Sequence, residues 1–204
     1  VKTKRKKLPY LTYLLIAVNL IIFGIEIKLG GSTDLNVLEQ LGGLVPERVL
    51  AGEWWRVINA NFLHYGWLHI GTNMLALYVL GRLIELSKGI IFFLTVYFVS
   101  GIGSMTTFAL LAAQTDNLNV LVIGASAAIM GLVGTILAIS IQLWLRHRNA
   151  LTTKNLGQVI LIIMLQFIFD NLVPQVSFQS HLFGLTIGLA LSSLLLFSQK
   201  FKIN

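Results

Sequence analysis

Four residues hold most of the chemistry this sequence offers: Ser126, His181, His69 and Asn73. A serine hydroxyl becomes a nucleophile when an adjacent base takes its proton, and histidine is the usual base. A carboxamide or a second imidazole can donate a hydrogen bond to the oxygen that turns negative as a carbonyl is attacked. Acyl transfer needs this set of residue types, provided that they meet. Each has a blander reading alone. Ser126 lies in Gly124-Ala125-Ser126-Ala127-Ala128, and small residues of this kind commonly pack membrane helices. His69 and Asn73 would serve to tie helices together, through hydrogen bonds worth about 0.6 kcal/mol each. His181 is harder to dismiss, because an ionisable group inside an apolar segment is costly.

The elements that must position these residues are membrane helices. Of 204 residues 56% are hydrophobic and 11% charged, against about 25% charged in an ordinary soluble domain. Apolar runs predict spans at about Tyr10 to Ile27, Trp67 to Ile84, Ile90 to Ala113, Gly124 to Leu145, Leu156 to Val173 and Gln179 to Phe197. That is an all-α membrane protein with six transmembrane helices in one bundle over residues 10–198. It is flanked by basic tails at 1–9 and 199–204. The run after the first basic tail is too long for a signal-peptide core and lacks a small-residue cleavage site, so it reads as a retained helix. Because the chain opens on Val1 and not on Met, an initiator or a longer N-terminus is expected to be missing. There is no cysteine, which removes disulfides and thiolate metal sites.

Charge sets the expected orientation. With the N-terminus inside, twelve of the fifteen basic residues fall on inner segments, and only Lys28, Arg48 and Arg56 fall outside. This bias follows the positive-inside rule and places both termini in the cytoplasm. The net charge of +7 is therefore a membrane-flanking feature, not a nucleic-acid surface. The long polar stretch Lys28 to Asn61, with Trp54-Trp55-Arg56, reads as an outer loop lying partly in the bilayer surface.

In this topology spans two, four and six run from outside to inside, and each carries its polar residues near its start. His69 and Asn73 are i and i+4, on one helix face. His181, Gly184 and Gly188 form a second stripe, and Ser126 is followed by Gly131 and Gly134. Glycines allow the close helix approach that a serine–histidine hydrogen bond requires. The apolar segment Leu118 to Ile123 precedes Gly124, so the loop is expected to dip inward and start its helix near Ser126. The backbone N–H groups and positive dipole end of that helix start would favour an oxyanion.

These residues resemble those of the rhomboid intramembrane serine proteases. The resemblance covers essentially all six spans and is carried by Trp55-Arg56, His69-Ile-Gly-Thr-Asn73, Gly124-Ala-Ser126-Ala and His181-Leu-Phe-Gly184-Leu-Thr-Ile-Gly188. It implies a catalytic dyad of Ser126 as nucleophile and His181 as general base and acid. His69, Asn73 and the Ser126 backbone N–H would hold the oxyanion. It further implies membrane-protein substrates cut in or near a transmembrane segment, in contact with the lipid bilayer, with no metal, cofactor, nucleotide or nucleic acid. Short basic tails and six bare spans suggest a bacterial plasma membrane, with the active site opening outward. Two positions depart from the family pattern. Ala127 stands where a glycine usually follows the serine, and Met130 where an aromatic often stacks on the histidine.

The remaining polar residues read as structural. His64 is expected at the interface and His147 in solvent. Asp170 is expected to meet water, Asn171 or a loop amide, and Glu85 to pair with Arg82. Two other functions compete with proteolysis. A catalytically silent relative that binds client transmembrane helices is favoured only by Ala127. A small transporter would need polar residues at successive depths, and the inner halves of spans two, four and six are almost wholly apolar.

Overall fold

The computed structural model describes residues 8–115, 118–172 and 177–200. Most of the two expected basic tails, and the expected end of span five at Val173, lie outside the described residues. Among those described there are nine α-helices and one 3-10 turn. The long helices are α1 (Tyr10–Lys28), α5 (Gly66–Lys88), α6 (Ile90–Ala112), α7 (Ser126–His147), α8 (Ala150–Leu172) and α9 (Phe178–Lys200). Three short ones, α2 (Leu35–Gln40), α3 (Pro46–Leu50) and α4 (Arg56–Asn59), lie between α1 and α5, and the 3-10 turn Ala60–Phe62 follows α4.

Five of the long helices, α1 and α6 to α9, are long and apolar enough to cross a membrane. The expected second span, α5, is the exception. Its 23 residues reach about 34 Å, enough for a 30 Å hydrocarbon core. His69, Asn73, Arg82, Glu85 and Lys88 make it too polar to qualify on composition. It nevertheless packs among the others, against α1, α6 and α7. Its buried face, Ile70, Met74, Leu77 and Ile84, joins the main apolar cluster with Phe93, Val96 and Leu132.

Glu85 does not pair with Arg82. Its carboxylate accepts from the Leu11 and Thr12 backbone N–H groups at 3.1 and 2.8 Å, and from the Thr12 hydroxyl at 2.7 Å. Arg82 donates instead to the Tyr78 hydroxyl, at 3.2 Å. The first N–H groups of a helix lack partners within it, and Pro9, just before α1, provides no side-chain cap. A carboxylate from a neighbouring helix fills that need better than an ion pair at an exposed end.

The α7–α9 contact is the most intimate in the bundle. A β-carbon on Gly184 would strike the Ala127 carbonyl, and one on Gly188 would strike the Gly131 backbone. The Thr135 and Ser192 hydroxyls hydrogen-bond at 2.7 Å, 57 residues apart. Ala127 with Gly184 and Gly131 with Gly188 keep the same offset, so the helices run parallel in one continuous register.

The segment between α1 and α5 is built, not loose. Arg56, 5% exposed, donates to the Glu39 and Gly43 carbonyls at 2.7 and 2.8 Å and to the Glu53 carboxylate at 2.6 Å. Its guanidinium also lies 4.8 Å from the Trp55 ring centre. These bonds hold the turn before Leu44, which pairs antiparallel with Val122. The Gly124 N–H then donates to the Ala60 carbonyl at 2.8 Å. The Trp55-Arg56 pair thus braces the short segment that delivers Ser126.

Candidate functional site

Ser126 is the first residue of α7, as the dipping-loop reading expected. It follows Gly124, whose φ of 122° lies in a region that favours glycine. Glycine is required here for space as well. A β-carbon would come within 2.8 Å of His69 Cε1 and Nε2 and 3.3 Å of the Ser126 hydroxyl. The His69 ring and the Ser126 hydroxyl therefore flank the same small space beside the α7 N-terminus. Ser126 is half-buried.

The proton on His69 is set by its other nitrogen. The Tyr65 backbone N–H donates to His69 Nδ1 at 3.2 Å. Nδ1 is thus an acceptor, and a neutral ring carries its hydrogen on Nε2, on the ring edge that faces Gly124. That leaves a donor facing the serine side of the site. Asn73, one turn further along α5 and 6% exposed, has a buried Nδ2 with no hydrogen-bond partner among the described residues. A buried donor without an acceptor is costly in a resting structure, and it is the arrangement an oxyanion site needs.

His181 stands in the first turn of α9, 5% exposed. The start of that helix is pinned by the Ser104 hydroxyl, which donates to the Ser180 carbonyl at 2.6 Å. The constant offset between α7 and α9 sets His181 level with Gly124, two residues and about 3 Å of helix rise before Ser126. The structure thus gathers all four residues, from spans far apart in sequence, at one end of the bundle.

Two expectations for neighbouring residues are overturned. Asp170, expected to meet water, Asn171 or a loop amide, instead faces the catalytic candidate: its Oδ2 lies 2.8 Å from His181 Nδ1. Its Oδ1 accepts from Gln166 Nε2 at 2.8 Å, while Asn171 turns back to the Phe167 carbonyl. His64 is not interfacial but fully buried. Its backbone N–H donates to the Glu26 carboxylate at 3.0 Å, and its ring centre lies 5.1 Å from that of His69. The signal for Asp170 was present. It is a carboxylate in an apolar run with Gln166 four residues earlier on the same face, at the depth of His181, and such residues default to functional hypotheses.

The two family departures prove mild in packing. The Ala127 methyl is fully buried, in a cluster with Leu44, Val57, Met105 and Val122, so it points into the core under the outer loop. Met130 packs with Ile163 and Leu185, one layer inward from Asp170 and His181.

Comparison with known proteins gives one consistent result. A family model described as a rhomboid domain matches residues 51–198. The chain is 30% identical over 182 residues to the rhomboid protease GluP of Bacillus subtilis (strain 168), covering 88% of this chain and 34% of that protein. It is 33% identical over 163 residues to RHOMBOID-like protein 5 of Arabidopsis thaliana, covering 80% and 51%. It is 30% identical over 161 residues to Rhomboid-like protease 1 of Toxoplasma gondii, covering 78% and 53%. The chain therefore spans from about a third to about half the length of these relatives.

Proposed function

This chain belongs to the rhomboid family and is a multi-pass integral membrane protein; on that premise we propose that it is an intramembrane serine endopeptidase. Its substrates are membrane proteins, cut in or near a transmembrane segment. The observation that carries this reading is the register of α7 against α9, which brings an imidazole to the helix start that bears Ser126.

In this mechanism Ser126 attacks the scissile carbonyl as His181 Nε2 takes the hydroxyl proton. The tetrahedral oxyanion accepts from His69 Nε2–H, Asn73 Nδ2–H and the Ser126 backbone N–H at the positive end of α7. Collapse expels the amine, which takes the proton back from His181. A water activated by the same imidazole then hydrolyses the acyl-enzyme. Ser126 is only half-buried, which suits the entry of that water. No metal or cofactor enters any step.

The basic residues support an orientation with both termini cytoplasmic and the Ser126 end of the bundle outward. The exposed Trp54, Trp55 and Trp67 suit the outer interface, with the loop before α5 partly embedded there. A bacterial plasma membrane fits these features. The silent client-binding alternative rested on Ala127, and a methyl buried among apolar side chains of the core weakens it.

The test is labelling of the detergent-solubilised chain with a fluorophosphonate probe, in native form and as Ser126→Ala and His181→Ala. Labelling of the native chain and of neither variant is expected, with cleavage of a reconstituted single-span substrate following the same pattern. A folded native chain that neither labels nor cleaves overturns the reading.

A further inference from the structure

We propose that Asp170 is a positioning residue for His181, extending the expected Ser–His pair to a membrane-embedded Asp–His–Ser triad. The inference rests on the protease reading above and adds a residue that neither the sequence motifs nor the family resemblance supplied. Geometry carries it. Asp170 Oδ2 lies 2.8 Å from His181 Nδ1, with side-chain exposures of 0% and 6%. An ionised carboxylate only accepts, so the bond requires the hydrogen on Nδ1 and leaves Nε2 with its lone pair. That is the tautomer a general base needs, and the carboxylate then stabilises the imidazolium that forms when Ser126 gives up its proton.

The setting of Asp170 argues against chance. Of the 23 residues of α8, only Ile163 and Asp170 are buried, so the helix spends one of two inward positions on a carboxylate. Burying a charge costs several kcal/mol unless it is paired and hydrogen-bonded. Each Asp170 oxygen has a donor, Gln166 on Oδ1 and His181 on Oδ2. A bare tether between α8 and α9 would need no charge. Among the described residues, the ionisable groups near His181 are Asp170 from α8 and His69 from α5; α6 and the outer half of α7 offer hydroxyls and apolar groups. Asp170 is thus the carboxylate available to balance a positive His181.

Two measurements on the full chain in detergent test this. The first is the ring-nitrogen NMR signature of His181, assigned by difference against His181→Gln. Native protein should show hydrogen on Nδ1, and Asp170→Asn should lose that preference. The second is fluorophosphonate labelling, separated into probe affinity and maximal rate. Asp170→Asn, which keeps the size of the side chain, should lower the maximal rate of the folded protein by about 100- to 10,000-fold with affinity unchanged. Asp170→Glu should recover part of that loss. A native ring with hydrogen on Nε2, or an Asn variant that labels at the native rate, overturns the proposal. So does a loss confined to probe affinity. If the folded native chain never labels, the protease reading fails and takes the catalytic meaning of Asp170 with it. The nitrogen signature then still decides whether Asp170 sets the His181 tautomer.

Discussion

The backbone carbonyl of Ala127 occupies the space that a side chain on Gly184 would need. Ala127 is the residue after Ser126, and Gly184 is one turn beyond His181. This close contact between α7 and α9 therefore lies beside the two site residues and bears on how near the hydroxyl and the imidazole stand.

A methyl at that contact has nowhere to go, because backbone cannot step aside as a flexible side chain does. Gly184→Ala and Gly188→Ala should each cost about 1–3 kcal/mol of stability and push α9 away from α7. Thermal unfolding should show a lower midpoint. Probe labelling below that midpoint should fall more for Gly184→Ala, which lies nearer His181. Equal labelling in all three chains would refute the link between this contact and the site.

Asn73 offers the cleanest test of the oxyanion donors, since its Nδ2 has no other partner among the described residues. Asn73→Ala removes no resting hydrogen bond from that atom, so the fold should tolerate it. Turnover of a reconstituted substrate should fall by about 10- to 1000-fold, in kcat and not in KM. An unchanged kcat would remove Asn73 from the mechanism.

Glu85 should matter to stability and not to chemistry. Glu85→Ala strips the acceptor from two backbone N–H groups and a hydroxyl at the start of α1, at a cost of about 1–3 kcal/mol. The unfolding midpoint should drop while the labelling rate well below it stays native. A midpoint that does not move would show that the α1 start is satisfied by other means.

His64 predicts how the fold responds to acid. Burial, and after it the neighbouring His69, push its imidazole down to about 3 from an ordinary 6.5. The unfolded chain therefore binds a proton near pH 6.5 that the folded chain refuses until near pH 3. Stability from this group is complete above pH 6.5. It is lost as pH falls through that window, by up to about 1.4 kcal/mol per pH unit. Unfolding midpoints between pH 7.5 and 4.5 should fall less steeply in His64→Gln than in the native chain. Parallel slopes would assign the acid sensitivity to other groups.

Much of this molecule could be read along the chain. Apolar runs located α1 and α6 to α9. Motif order identified the family, and the stripes Ser126, Gly131, Gly134 and His181, Gly184, Gly188 foretold the α7–α9 contact. Even the late helix start at Ser126 followed from the apolar segment before Gly124. These are local properties. Hydropathy reports depth in the membrane, and depth alternates with each span, so residues at the starts of alternate spans must share a level. The partners at that level were another matter. Asp170 bonds His181, Glu85 caps a helix 73 residues away, and His64 is buried beside Glu26. Each depends on how a helix is rotated about its own axis and which neighbour it faces. That rotation is decided by packing summed over the whole bundle, which no stretch of sequence contains.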